Sequence, residues 1–251
     1  MPRDERSPGL TVPGPPKDDP ALPLLATGQL EILGLLPRSS NYTFLARVRG
    51  DAGETLAVYK PRAGETPLWD FPDGTLCQRE VAAYKVARTL GWPWVPPTVL
   101  RDGPEGPGSV QLFVEFDPEH HYFTLIEDMA DELRRVALFD LVVNNADRKG
   151  GHCLLAANGR MFVVDHGVCF SAQPKLRTVI WDFAGEPVPE RARADVRRLA
   201  GELLGGSFRD ELRGLLSAAE LDATARRATA VAELAKFPEP GPGRPYPWPP
   251  V

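Results

Sequence analysis

The stretch that most constrains this chain is residues 138–170, LFDLVVNNADRKGGHCLLAANGRMFVVDHGVCF. An apolar run enters Asn145-Ala146-Asp147-Arg148, and a short loop follows, ending at His152. Two strand-like segments, CLLA and MFVVD, then flank an Asn158-Gly159 pair. Asn-Gly between apolar runs is a strong hairpin signal. The hairpin closes at Asp165-His166-Gly167 and so returns Asp165 to the neighbourhood of Asp147. Two carboxylates brought together in this way can hold a base and a divalent metal around a phosphate chain.

The rest of the chain is read by what it supplies to this stretch. Its 251 residues suffice for a sizeable core and one or two domains. A net charge of −5 argues against a general nucleic-acid binder, which would present a basic face. Only six of the 29 basic residues are lysine, so a lysine inside a strand pattern is informative. The three cysteines, Cys77, Cys153 and Cys169, form no CxxC pair, which argues against a disulfide scaffold and fits a reducing, cytoplasmic interior. Residues 1–22 are polar and Pro-rich without an apolar signal core, and read as a disordered leader. No apolar run is long enough to span a membrane. Residues 237–251 form a Pro-rich tail, extended over the surface, in which Tyr246 and Trp248 are the candidates for docking on the body.

Between leader and tail the pattern changes once. EILGLLP, TFLARVRG and TLAVYKP read as three antiparallel strands, with Lys60 at the end of the third. CQREVAAYKVARTLG reads as a helix stopped by Gly91, with Glu80 in its first turn. TVLRDGPEGPGSVQLFVEFD adds two strands, and Trp92 and Trp94 are expected to pack under this first lobe. From residue 128 onward the periodicity is helical except for the hairpin. Ser217 and Glu220 form a capping box ahead of the last helix. The expected architecture is α+β: a β-rich lobe over 23–117 and a helical lobe over 118–236 carrying the hairpin.

Lys60, Glu80, VQLFVEFD, NADRKGGH and VVDHG, in that order, resemble the protein-kinase-like superfamily. They are most similar to its atypical branch, which holds the phosphatidylinositol 3- and 4-kinases, the HipA-like kinases and small bacterial phosphatidylinositol kinase-like proteins. The resemblance covers residues 28–236. It implies a two-lobed kinase-like fold that binds ATP with Mg²⁺ or Mn²⁺. It implies Asp147 as the catalytic aspartate that orients or deprotonates an acceptor hydroxyl. Arg148 would hold the loop or neutralise transferred phosphate, and Asp165 would bind metal. Lys60 would contact phosphate, with Glu80 as its ion-pair partner. Val114–Asp117, with Glu115, would be the adenine-contacting linker. Ser39, Ser40 and Asn41 would occupy the phosphate-loop position, although plain turn chemistry accounts for them better than a specific ligand role.

The chain departs from the family pattern in three places. His152 stands where asparagine is usual as second metal ligand, and an imidazole is softer than an amide oxygen, favouring Mn²⁺ or Zn²⁺. Lys149 replaces a histidine, and residues 37–44 contain no GxGxxG. A structural zinc site built from His120, His121, His152, Cys153, His166 and Cys169 matches no ligand spacing. The function implied is an ATP-dependent phosphotransferase acting on a hydroxyl of a small molecule or protein. A lipid acceptor is disfavoured by the short helical lobe and the lack of a basic amphipathic face. The alternative is a pseudokinase that binds nucleotide or a partner without turnover, and nucleotidyl transfer is a minor third reading.

Overall fold

A computed structural model describes residues 19–37, 41–92 and 94–251. α1 (Ala21–Thr27) leads into five strands: β1 (Gln29–Leu35), β2 (Phe44–Gly50), β3 (Gly53–Pro61), β4 (Thr98–Gly103) and β5 (Gly106–Leu112). α2 (Leu76–Leu90) lies between β3 and β4 in sequence. The strands form one antiparallel sheet in the order β1-β2-β3-β5-β4. Its tight β2–β3 turn is set by Gly53, whose φ of 121° is open to glycine alone among common residues. In register, Lys60 stands opposite Ser109, so it projects from an inner strand rather than an edge.

The helical lobe contains α3 (Tyr122–Leu125), α4 (Ala130–Val143), the hairpin β6 (Cys153–Leu155) and β7 (Met161–Val163), then α5 (Glu190–Gly205), α6 (Ser207–Leu212) and α7 (Ala218–Ala232). Asn158-Gly159 makes the hairpin turn, with Gly159 at φ 76°. The Ser217/Glu220 capping box starts α7 as expected.

Three features depart from the sequence reading. α1 begins at Ala21, inside the stretch assigned to the leader, because Leu25 is fully buried with Ala46, Val48, Ala57 and Val110 behind the sheet. Glu80 lies in the second turn of α2, not the first, since the helix starts at Leu76. α2 also belongs to the core of the helical lobe. Its Ala83, Val86, Ala87 and Leu90 pack in one cluster with Val136, Phe139, Leu199 and Leu221, and Trp92 and Trp94 join the same cluster. Trp92 Nε1–H donates to Asp195 of α5 at 3.1 Å. The buried Arg79 of α2 donates to Glu220 of α7 and to the Cys169 carbonyl, bolting the helix down.

Candidate active site

α4 ends because Asn144 turns into the left-handed region at φ 52°, where asparagine is tolerated better than most residues. Its side-chain amide donates to the Ser171 and Gln173 carbonyls at 3.0 and 2.7 Å, and its oxygen accepts the Lys175 N–H at 2.9 Å. Asn145 donates to Asp140 at 3.1 Å and accepts the Asp147 N–H at 3.0 Å. The two asparagines thereby fix the path of residues 144–147 from both sides. The Asp147 carboxylate is left partly exposed, with Lys149 Nζ at 3.1 Å. Burial raises its pKa above the usual aspartate value, Lys149 opposes that rise, and Asp165 is near enough for its charge to be felt.

Arg148 is completely buried, and its guanidinium meets Asp140 through two parallel bonds of 3.0 Å. A further N–H donates to the Val164 carbonyl at 2.9 Å, and Nη2 meets His166 Nε2 at 2.8 Å. Every contact is to the protein interior. The guanidinium therefore joins α4, the 147–152 loop and the end of β7, and of the two roles expected of it only loop-holding has access to its partner. Since Nη2 can only donate, His166 accepts at Nε2 and remains neutral; burial pushes its pKa well below the ordinary histidine value.

A second charged group, built on Lys60, is partly open to solvent. Lys60 Nζ donates to Glu80 Oε1 at 2.5 Å and to Asp165 Oδ1 at 3.0 Å. Glu80, itself 2% exposed, also accepts the His166 N–H at 2.9 Å. Burial acts to lower the Lys60 pKa, but Asp165 and Glu80 outweigh it and hold the ammonium above the ordinary lysine value. Asp165 sits at φ 63°, and Lys60 holds its carboxyl well below the usual carboxylate range. The carboxylate is ionised at neutral pH and half-exposed.

His152 closes the group. It ends a 3₁₀ turn (Gly150–His152), and its Nδ1 accepts the Lys149 N–H at 3.3 Å. An Nδ1 lone pair spent on a backbone N–H leaves the ring proton on Nε2. Nε2 lies 3.4 Å from Asp165 Oδ2, an ion-pair separation without a hydrogen bond. Burial lowers the His152 pKa to about 4, so the ring is neutral.

The structure thus gathers Lys60, Glu80, Asp165 and His152, with Asp147 beside them. Glu115 is exposed in the linker between the lobes, bracketed by main-chain bonds from Phe113 to Leu56 and from Asp117 to Leu155. Asn41 spends its side-chain oxygen on the Thr66 N–H at 2.7 Å, in the loop after β3. Ser39 and Ser40 lie outside the described residues. Sequence reasoning passed over Asp140, Asn144, Asn145 and the structural role of His166. Asp140 had a signal: a charge inside the apolar run LFDLVV is expensive unless paired. The roles of Asn144 and His166 depend on partners distant in sequence, and Asn145 acts through the near neighbours Asp140 and Asp147. Among the described residues no three His, Cys, Asp or Glu side chains gather to hold a metal by themselves. An ion bound with nucleotide needs only one or two carboxylates, the remaining ligands being phosphate oxygens and water. The half-exposed, ionised Asp165 fits that donor set.

Three comparisons bear on this arrangement. The family described as phosphatidylinositol 3- and 4-kinase matches residues 100–208, a span holding the interlobe linker, Asp147 and Asp165. Protein Rv2133c of Mycobacterium tuberculosis is 40% identical over 261 residues, covering 90% of this chain and 94% of its own. Phosphatidylinositol 4-kinase gamma 4 of Oryza sativa subsp. japonica is 32% identical over 143 residues, 45% of this chain but only 24% of the plant protein. The crystal structure of the Helicobacter pylori proinflammatory kinase CtkA superposes with a TM-score of 0.51 at 12% identity, covering 85% of this chain and 94% of that one. At that identity the likeness is one of fold, and the fold is kinase-like. Kinship over nearly the full length of both chains, together with this fold, makes the chain a member of the family of Protein Rv2133c and an atypical phosphatidylinositol 3-/4-kinase-like protein.

Proposed function

We propose that the protein is an ATP-dependent phosphotransferase that moves the γ-phosphate to a hydroxyl of a small-molecule or protein acceptor. The observation that carries this reading is Lys60, paired at once with Glu80 of α2 and with Asp165 beyond the hairpin. One ammonium from the sheet lobe is held over a carboxylate of the helical lobe, where a polyphosphate would lie between them. Lys60 steadies the phosphates, and Glu80 fixes Lys60. Val114 and Glu115 offer main-chain groups to the adenine. Asp147 aligns the acceptor hydroxyl and draws off its proton, a task suited to a carboxylate whose pKa is raised. Lys149 neutralises charge beside it.

Asp165 would hold Mg²⁺ or Mn²⁺ together with phosphate oxygens, and the ion, when bound, supplies charge neutralisation on the β- and γ-phosphates. His152 Nε2, which carries the ring proton, lies 3.4 Å from Asp165 Oδ2. To serve as second ligand it must move that proton to Nδ1, and the Lys149 N–H then loses its acceptor. That observation favours the second reading, a pseudokinase that binds nucleotide without turnover. Among the described residues no helix is long and apolar enough to cross a membrane. The three free, buried cysteines support a cytoplasmic location.

The test is thermal unfolding with ATP and Mg²⁺ or Mn²⁺, followed by transfer assays with γ- and α-labelled ATP in parallel. Stabilisation by nucleotide and γ-label transfer, both lost in Asp165→Ala, are expected. Stabilisation without transfer under either metal establishes the pseudokinase, and α-label transfer establishes nucleotidyl transfer.

A further inference from the structure

The Pro-rich segment after α7 reaches the catalytic loop. The Pro250 carbonyl accepts the Gly150 N–H at 2.7 Å, midway between Asp147 and His152. The Pro245 carbonyl accepts the Thr178 N–H at 3.0 Å and the Trp181 indole N–H at 3.3 Å. Pro247 is buried between these anchors, while Tyr246 and Trp248, the residues expected to dock, are 53% and 88% exposed. Gly150 shows that the approach is close. A Cβ there would lie 2.9 Å from the Phe123 ring and 3.4 Å from the Pro250 carbonyl. Val251 Cγ1 would be 3.8 Å from a Cβ on Gly151.

The second anchor also bears on the loop. Residues 177–179 run beside Arg148: the Arg148 N–H donates to the Arg177 carbonyl at 2.9 Å, and the Val179 N–H donates to the Arg148 carbonyl at 3.1 Å. Thr178 Oγ1 lies 3.4 Å from the buried Asp140 carboxylate. The segment therefore grips the loop directly at Gly150 and grips the strip that laces Arg148 at Thr178. Four of residues 245–251 are proline. Proline has no N–H to offer and is already restricted before docking, so such a segment presents acceptors at low entropic cost. Gly150 and Thr178 are buried donors that need acceptors.

We propose that residues 244–251 are a positioning strap of the active site, holding the 147–152 loop so that Asp147 and His152 keep their aim. The inference rests on the phosphotransferase reading for its kinetic consequence, but not for its structural one. The experiment compares the full chain with a form ending at Gly243, by hydrogen exchange of residues 146–152 and by the kinetics of ATP turnover. The strap predicts faster exchange in the shortened form. It also predicts a kcat about 10- to 100-fold lower with an unchanged KM for ATP, since a loop displaced by about an ångström loses alignment rather than binding. The peptide RPYPWPPV added in excess restores both. Trp181→Phe, which removes one donor, gives a smaller change in the same direction, and Pro250→Ala, which keeps the carbonyl, retains protection. Unchanged exchange at 146–152 overturns the strap whether or not the protein is a kinase. A kcat that is unchanged or higher in the shortened form of an active enzyme overturns its positioning role. Failure of the full chain to turn over ATP counts against the phosphotransferase reading and leaves the exchange comparison to decide the strap.

Discussion

Arg148 and Lys60 stand on opposite sides of His166, and each is paired with carboxylates, yet their surroundings differ. The Arg148 side chain and its partner Asp140 have no exposed surface, whereas Lys60 is 23% and Asp165 52% exposed. The sealed pair has every donor committed to protein, and its charges cannot be reached by a ligand. The open pair is partly exposed to solvent, so a ligand has access to its charges. The two ion pairs thus differ in what they permit: one fixes the loop, and the other is open to a change of partner. The difference lies in burial, because desolvated charges must stay paired while accessible ones are free to change partners.

Four experiments break or sharpen this contrast. Arg148→Ala strands Asp140 as an unpaired buried charge and is expected to cost about 3–5 kcal/mol of stability in denaturant unfolding. The double variant Arg148→Met/Asp140→Leu should recover much of that, and a single-variant cost below about 1 kcal/mol would collapse the distinction. Asp147→Asn should leave folding and ATP binding intact while lowering transfer by about 10²–10⁴-fold, as removal of a general base does. Asp165→Asn should change stability by within about 1 kcal/mol, as expected of an exposed pair, yet abolish the metal-dependent thermal stabilisation by ATP. A large loss of stability there would place Asp165 with the sealed cluster.

The last effect concerns pH. His152 has a folded pKa of about 4, below its ordinary 6.5, so between those values the unfolded chain binds a proton that the native state refuses. Stability therefore falls as pH drops from 6.5 toward 4, by on the order of 1–3 kcal/mol. His166, also buried and neutral, adds a loss of the same sign. His152→Asn should flatten part of this slope in unfolding curves taken across the window, and an unchanged slope would show that His152 is charged in the native state.

Much of the frame was legible along the chain. Alternation gave the strands, Asn158-Gly159 gave the hairpin, and Gly91 gave the end of α2. Lys60 at a strand end and two aspartates around a hairpin were visible because strand and turn chemistry act over a few residues. The apolar stripe of α2 was equally visible, but a stripe does not name its partner. Only the packing shows that it joins the helical lobe through Arg79 and Glu220. Arg148 looked the same in sequence whether it faced phosphate or Asp140. The tail read as a surface segment, and its grip on Gly150 was invisible because main-chain carbonyls, identical in every residue, make the contact.

The sequence by itself determined which residues carry charge, where the backbone can turn and which elements form, since these follow from local sterics and periodicity. The tertiary structure decided which charges are buried and which remain in reach of a ligand. Burial depends on elements distant in sequence closing over a side chain, and that closure makes Arg148 a fixed part of the loop and leaves Lys60 and Asp165 partly open to solvent.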